Sequence, residues 1–542
     1  MNIKRAKKEI KDTIEAYLYK DEFGQYAIPQ IRQRPVLLLG PPGIGKTQVM
    51  EQVAKECGVA LVAYTITHHT RQSAVGLPYI SKKHYGKKEY SATEYTMSEI
   101  VASIYDKIET TGLKEGILFI DEINCVSETL APTMLQFLQC KTFGNHKIPE
   151  GWMIVAAGNP PEYNKSVRDL DVVTLDRVKK IVVEPDYEVW REYALREGIH
   201  PAVCSYLQSK KQYLCHIETT VDGKFFATPR GWEDLSRLIQ VYEEMGKKAD
   251  RETIVQYLQH PKIAKDFVNY LSLYQKYQEE QQIEEILSGV IRESFCDKLE
   301  RAPFDERLGV ISILLARLER RSREVLEQEE VMERVMGILK RFGQGMDVSV
   351  PAAGREPGDP LTQDTARRSA GALAEDGGDD TAKDPFGRLR ELILETEQGW
   401  ESLKKQELLT RREDVLCRKV LKQLERYLQA LGEWEKSGDL DQETAGPSGS
   451  MEEGWALLRE LFAADSDRYE EGSAELSQML EHGFDFMEAA FGDSQEMVLF
   501  ITELNTSPYM VRFLQEYDCA RYYAYNERLL FDDRERELME KI

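Results

Sequence analysis

A glycine-rich segment constrains the fold of this chain more than any other: Gly40-Pro41-Pro42-Gly43-Ile44-Gly45-Lys46-Thr47. It follows a short apolar run, Val36–Leu39, that is typical of a buried strand. It precedes a segment whose apolar residues recur at helical spacing. The pattern G-x-x-x-x-G-K-[ST] between a strand and a helix is the P-loop, which cradles nucleotide phosphates. The sequence therefore predicts an α/β domain with a nucleotide site.

The residue types of this loop indicate how it would bind. Gly43 and Gly45 lack a Cβ, so the backbone can approach the phosphates closely. The N–H groups at the start of the following helix favour an anion there. We expect Lys46 to reach the β- and γ-phosphates and the Thr47 hydroxyl to ligate Mg²⁺. ATP and Mg²⁺ are thus the predicted ligands.

Two later apolar runs end in polar residues. Ile117–Ile120 is followed by Asp121 and Glu122, which suit a Mg²⁺-associated carboxylate and a general base for water. Trp152–Ala157 ends at Gly158 and Asn159, whose amide is expected beside the γ-phosphate. An ordinary turn role for Asn159 is the alternative. Ligands of open α/β sheets bind at the carboxyl ends of strands, so these side chains should meet the P-loop.

Taken together, these motifs resemble the MoxR-like branch of the AAA+ ATPases, over about Pro35 to Ile239. The segments that carry the resemblance are 40–47, 71–78, 117–124, 156–160, 175–177 and 228–232. The resemblance implies a ring, usually a hexamer, with each nucleotide site between two subunits. It implies that Asn159 is sensor 1, that Arg230 is sensor 2 of the same subunit, and that Arg177 is the arginine finger donated in trans. Val178 stands where the family often has Phe, which leaves Arg168 as a rival for the finger.

The family's helix-2 insertion corresponds to residues 67–95, and its basic and aromatic side chains are Tyr79, Lys82, Lys83, Tyr85, Lys87, Lys88 and Tyr90. This segment could grip a polypeptide or a nucleic acid, or it could be a solvated hairpin. The neighbouring His68 and His69 are adjacent and lack a third ligand at useful spacing, which argues against a metal site.

The predicted fold class is α/β: an AAA+ P-loop core with a central parallel sheet, followed by a helical lid and all-α C-terminal extensions. The predicted divisions are an N-terminal helix (1–30), the core (31–185), the lid and helical extension (186–342), a disordered linker (343–385) and an all-helical region (386–542) with a flexible break near 437–450. Gly, Pro, Ala, Asp and Thr dominate the linker, and such a composition buries little apolar surface.

The composition of the chain limits the partners and the setting that we expect for it. The chain of 542 residues has a net charge of −23, which argues against a protein-wide electrostatic grip on nucleic acid or on an anionic membrane. The 8 cysteines form no C-x-x-C pair and no secretion signal precedes them, so a cytoplasmic protein is expected. No apolar run approaches the roughly 18 residues of a transmembrane helix.

The expected function is Mg²⁺-dependent ATP hydrolysis that drives chaperone-like remodelling or maturation of a protein partner. The resemblance suggests a partner with a von Willebrand factor A domain. A motor on nucleic acid and a non-hydrolysing nucleotide-dependent scaffold are the alternatives. The intact Glu122 argues against the scaffold, because a protein that only binds nucleotide needs no general base.

Overall fold

The computed structural model describes residues 1–67, 74–85, 88–143, 145–163, 172–220, 223–279, 282–343, 385–438 and 451–539. Its strands β1–β11 lie at Val36–Leu39, Ala60–Thr65, Pro78–Tyr85, Lys88–Tyr95, Gly116–Asp121, Thr142–Phe143, His146–Lys147, Trp152–Gly158, Lys179–Val182, His216–Thr220 and Gly223–Ala227. Helices α1–α10 lie at Ile3–Leu18, Lys46–Cys57, Glu99–Thr111, Ala131–Cys140, Val172–Leu175, Tyr187–Glu197, Pro201–Ser209, Pro229–Glu244, Arg251–Leu258 and Pro261–Glu279. Helices α11–α19 lie at Gln282–Leu287, Glu293–Glu300, Phe304–Gly343, Pro385–Lys405, Arg411–Gly438, Met451–Phe491, Gln495–Thr506, Pro508–Glu516 and Ala520–Met539.

The central sheet is parallel and has the strand order β2-β5-β8-β1-β9. Strand β1 pairs with β8 and with β9, and β5 pairs with β2 and with β8. The carboxyl ends of all five strands therefore lie at one edge. This sheet, with helices around it and an all-helical C-terminal part, confirms the predicted AAA+ fold class.

Both faces of the sheet are covered, because alternate residues of each strand point to opposite sides. On one face Leu118 and Ile154 pack with Ile104 of α3. On the other face Val155 packs with α2 and with Ile10 of α1, so the N-terminal helix belongs to the core of this domain. Buried on both sides, the strands are continuous apolar runs, which is why they could be found in the sequence.

Among the described residues, three antiparallel strand pairs accompany this sheet, of which β6–β7 is the shortest. Strands β3 and β4 pair from Pro78↔Tyr95 to Tyr85↔Lys88, within the segment 67–95 that corresponds to the family's insertion. Strands β10 and β11 pair within the region predicted as a helical lid, which the helical pattern did not indicate. The missed signal is the run Ile217–Thr220, in which three of four residues are β-branched, before Asp222-Gly223, a turn dipeptide of hairpins.

The chain divides into two units by its internal contacts. The first consists of Met1–Arg317, Gln406–Leu408 and Glu481–Ile542. The second consists of Leu318–Lys405 and Leu409–Leu480, and its core includes Leu389, Leu424 and Trp455. In the described ranges, none of the helices combines the length and apolar character needed to cross a bilayer. Residues 344–384 of the predicted linker and 439–450 of the predicted break lie outside those ranges.

Candidate functional site

The glycine-rich loop leaves β1 and turns directly into α2. Gly43 and Gly45 have φ angles of 75° and 88°, the left-handed region that glycine occupies at no steric cost. Gly45 is the N-cap of α2, so the first free N–H groups of that helix face the loop. The result is a backbone cradle with a positive helix end, which suits phosphate oxygens.

Two loop glycines are needed because neighbouring backbone and side chains come close. A Cβ on Gly40 would lie 2.8 Å from the carbonyl oxygen of Val183. A Cβ on Gly43 would lie 3.2 Å from the Cβ atoms of both Thr228 and Arg230. The start of the lid helix α8 therefore packs directly on the P-loop.

Lys46 lies in the middle of the site and is only 8% exposed. Its Nζ donates hydrogen bonds to the carbonyl oxygens of Gly40 and Pro41, at 3.0 and 2.9 Å, and to Asn159 Oδ1 at 2.9 Å. Burial lowers the pKa of Lys46 from 10.5 to about 8, with the charge of Asp121 opposing and that of Arg230 adding to the effect. Three hydrogen bonds thus hold the Lys46 side chain at the loop, while burial disfavours its charged form.

Thr47 and Asp121 form the oxygen pair expected for a magnesium ion. The Thr47 hydroxyl donates to Asp121 Oδ2 at 3.2 Å, which links the first turn of α2 to the end of β5. Mg²⁺ prefers oxygen ligands and keeps several bound waters. One hydroxyl and one carboxylate beside bound phosphates are therefore enough ligands from the protein. The donor set therefore fits Mg²⁺.

Glu122 follows Asp121 in a strained conformation. Its φ is 57°, in the left-handed region that a non-glycine residue rarely adopts. Its N–H donates to Asp121 Oδ1 at 2.9 Å, and its carbonyl accepts from Cys125 N at 2.9 Å. Such strain costs roughly 1–3 kcal/mol and persists where surrounding contacts fix the backbone, often at functional sites.

Asn159 joins the site from β8, the strand between β1 and β5. Besides accepting from Lys46, it accepts through its carbonyl from Asn124 Nδ2 at 2.7 Å. Asn124 was missing from the sequence-based site, and it is 5% exposed. A Cβ on Gly158 would lie 2.4 Å from Asn124 Oδ1, so glycine makes room for this side chain. Sequence separation hides the contact, since the partners are 35 positions apart.

The two predicted arginines lie in different places. Arg230 is exposed and its Cβ adjoins Gly43 of the same chain. Arg177 is exposed, precedes β9 and donates to Gln139 Oε1 at 3.0 Å. Because β9 runs parallel to β1, in the register Val36↔Lys179, Arg177 lies at the amino edge of the sheet and the P-loop at the carboxyl edge. The four residues of β9 separate these edges by roughly 13 Å. Arg168, Arg71, His68 and His69 lie outside the described residues.

Comparison with known proteins agrees with this geometry. The AAA domain family, dynein-related subfamily, matches residues 35–178. Over this segment the chain is similar to that family. The match spans β1 to Val178 and includes the P-loop, Asp121, Glu122 and Asn159. An AAA domain implies nucleotide binding and supports nucleotide-dependent activity.

Similar solved structures include RuvB of Thermotoga maritima. A mutant of that protein shares 15% identity, with 48% of this chain and 69% of that chain covered and a TM-score of 0.27. The structure titled Thermotoga maritima RuvB Holliday junction branch migration motor gives the same identity and coverage and a TM-score of 0.26. These low scores carry no conclusion about what this chain does. No curated protein matches the chain.

Proposed function

We propose that this protein hydrolyses ATP with Mg²⁺ in the AAA domain. The observation that carries the proposal is the hydrogen-bonded group formed by Lys46, Thr47, Asp121 and Asn159 around a glycine cradle. Residues from three different strand ends converge there, each suited to phosphate, metal or water. Mg²⁺ would neutralise charge on the β- and γ-phosphate oxygens when bound.

The roles of the residues follow from their positions. Lys46 would exchange its carbonyl partners for phosphate oxygens, while Thr47 and Asp121 hold the metal. Glu122 would accept a proton from the attacking water, and Asn159 would orient that water. Arg230, beside Gly43, would reach the γ-phosphate from the lid of the same chain.

Arg177 would act on the site of a neighbouring subunit. Its place at the amino edge of the sheet keeps it from the P-loop of its own chain, whereas in a ring it would face the next subunit. An arginine that stabilises charge on the transferred phosphoryl group is worth about 10³-fold or more in rate. We therefore propose a homo-oligomeric ring, with a hexamer as the expected size.

The base is tested with Glu122→Gln. Turnover should fall by about 10²- to 10⁴-fold, because the carboxylate that accepts the proton is gone, while MgATP still binds. Single-turnover hydrolysis and equilibrium binding measure the two properties separately. Turnover that survives the substitution would remove Glu122 from the mechanism.

The trans arrangement is tested by mixing two inactive chains. The Arg177→Ala chain still supplies Glu122, and the Glu122→Gln chain still supplies Arg177. In a ring mixed at random in equal amounts, about a quarter of the interfaces therefore contain both intact groups, one from each neighbour. ATPase activity should return on mixing to about that share of the normal rate. If Arg177→Ala alone keeps the normal rate, another residue supplies the finger.

We further propose that hydrolysis remodels a protein partner, as in MoxR-like proteins, and that a protein with a von Willebrand factor A domain is a candidate. The β3–β4 hairpin supports a polypeptide rather than a nucleic acid. Its Ile80 is 77% exposed, and Tyr79 and Tyr90 are about half exposed. Two of its lysines are paired, Lys82 with Glu89 and Lys83 with Glu94, which reduces the positive charge open to phosphates.

All eight cysteines are free thiols, which supports a reducing, cytoplasmic setting.

The client is tested by capture on the Glu122→Gln protein held in ATP, followed by mass spectrometry. A specific protein should be recovered, and its capture should fail when Tyr79, Ile80 and Tyr90 are replaced by Ser. Tyr105→Ser is the control, because Tyr105 is equally exposed but lies on α3. Recovery of nucleic acid instead would favour the motor on DNA or RNA.

A further inference from the structure

Three potential metal ligands meet in the lid, away from the P-loop motifs. His216 and Glu218 lie on β10, and His260 lies in the turn between α9 and α10. One ligand atom from each side chain lies within 4.8 Å of the others. The rings of His216 and His260 have centroids 5.3 Å apart.

Local structure explains why these side chains converge. His216 and Glu218 are two residues apart on one strand, so they point to the same face of the hairpin. The hairpin is tied to the turn by a hydrogen bond from Phe226 N to the carbonyl of Gln259, at 3.3 Å. Gln259 has a φ of 46°, the left-handed conformation that ends α9 and redirects the chain at His260. His260 then packs against Phe225, which pairs with Glu218 and shares its face.

One ring nitrogen of His260 is buried without a hydrogen bond. The residue is 3% exposed, and its Nδ1 accepts from Ile263 N at 3.4 Å. Its Nε2 is buried and has no hydrogen-bond partner, although Glu218 Oε2 lies 3.3 Å away. A buried polar nitrogen without a hydrogen bond costs roughly 1–3 kcal/mol. This nitrogen lies 3.3 Å from Glu218 Oε2. A metal ion there would bind its lone pair once the ring proton moves to Nδ1, and only the long 3.4 Å contact with Ile263 N would be given up.

We propose that His216, Glu218 and His260 bind a divalent transition-metal ion, with Zn²⁺ the best match. Two imidazoles and one carboxylate form a His₂Glu set, which Zn²⁺ accepts with a fourth position for water. The side chain of Glu218 is 40% exposed, which leaves room for that water. Mg²⁺ and Ca²⁺ prefer all-oxygen ligands and do not suit two imidazoles.

The metal would fasten one part of the lid to another. It joins the β10–β11 hairpin to the α9–α10 turn, two elements that are also connected by the Phe226–Gln259 backbone hydrogen bond and by the packing of His260 on Phe225. A metal that binds only the folded state would stabilise that state. This inference concerns the lid alone and does not depend on ATP hydrolysis.

The test uses the full chain, freed of metal with a chelator and titrated with Zn²⁺ against a chromophoric competitor. The intact protein should bind one equivalent, and its unfolding temperature should rise with Zn²⁺. His260→Ala and the milder Glu218→Gln should weaken binding, the first by more than the roughly 10- to 100-fold that loss of a ligand's outer partner produces. Co²⁺ substitution should give the intense visible bands of a four-coordinate site.

Two controls separate this site from others. His84→Ala removes an exposed histidine of β3, and a combined His68→Ala and His69→Ala variant removes the adjacent pair in the insertion. Both should bind Zn²⁺ like the unmodified chain. The proposal is overturned if the unmodified chain binds no equivalent of Zn²⁺, in which case the contact is only an ion pair. It is also overturned if Zn²⁺ binding survives in the combined His216→Ala and Glu218→Gln variant but is lost in the combined His68→Ala and His69→Ala variant.

Discussion

Lys46 should make nucleotide affinity depend on pH above neutrality. It is buried at 8% exposure, and burial lowers its pKa from 10.5 to about 8 in the nucleotide-free protein. At 1.36 kcal/mol per pKa unit, the difference corresponds to about 3 kcal/mol against the charged form. Bound phosphates would restore that charge, so binding at pH 8 and above should take up a proton.

The magnitude follows from the same pKa. With a value of about 8, roughly nine-tenths of the Lys46 side chains are charged at pH 7, half at pH 8 and one-tenth at pH 9. MgATP affinity should therefore fall by about tenfold from pH 7 to pH 9. The lowered pKa also means that the unfolded chain binds more protons than the folded chain between pH 8 and 10.5. The contribution of Lys46 to the free energy of unfolding therefore rises with pH through that window.

Calorimetric titration in buffers of different ionisation enthalpy measures the effect directly. Uptake of about half a proton is expected at pH 8 and about 0.9 at pH 9. Lys46→Arg is the matched control, because a guanidinium does not titrate in this range and should give a flat profile. Arg230→Ala should move the midpoint to higher pH, since the charge of Arg230 lowers the pKa of Lys46.

An affinity that is constant from pH 7 to 9 in the unmodified protein would refute the reasoning. The same pH dependence in Lys46→Arg would refute it as well, because the titrating group would then lie elsewhere. The hydrogen bonds of Lys46 to Gly40, Pro41 and Asn159 would in that case hold a fully charged ammonium.

Further substitutions test the P-loop and the ion pair between Arg191 and Glu503. Gly43→Ala and Gly24→Ala should each lose about 1 kcal/mol of unfolding free energy in denaturant titrations, because their φ angles are 75° and 76°. Only Gly43→Ala should weaken MgATP binding, since a Cβ on Gly24 meets nothing within 4 Å; equal effects on affinity would contradict this. Arg191→Met should lose about 3–5 kcal/mol of unfolding free energy, because the largely buried Glu503 carboxylate would keep the neutral Gln208 amide but lose its cationic partner; Arg191→Met with Glu503→Leu should lose less. Burial raises the pKa of Glu503, so the single loss should shrink as pH falls and the folded carboxyl takes up its proton; a loss independent of pH would refute this.

The core could be predicted from the sequence because its signals are local. Buried parallel strands are unbroken apolar runs, as in Gly116–Asp121 and Trp152–Gly158. Helix ends are also marked locally: Asp186 accepts from the first N–H groups of α6, and Gly198 ends that helix in the left-handed conformation. These two residues flank the helix Tyr187–Glu197 directly.

The rest depends on contacts between residues far apart in sequence. Arg191 and Glu503 are 312 residues apart, and neither stands in a pattern that points to the other. His260 lies 42 positions after Glu218, in a turn whose direction is set by one left-handed residue. Periodicity and motif spacing report which face of an element is buried, but they do not report which distant element covers it.

The segment from His216 to Arg230 runs from the proposed metal site to the P-loop. It begins with two proposed metal ligands, runs through the hairpin turn and ends at Thr228 and Arg230, which adjoin Gly43. Thr228 also caps α8 by accepting from Gly231 N at 3.2 Å, so the start of the helix cannot shift without moving the side chain that packs on the loop. Because Gly43 has no Cβ, this contact is close enough for the P-loop and the lid to restrain each other. Phosphate binding at the loop and the position of the lid should therefore be coupled, and Arg230 is the residue through which the lid would respond to the γ-phosphate.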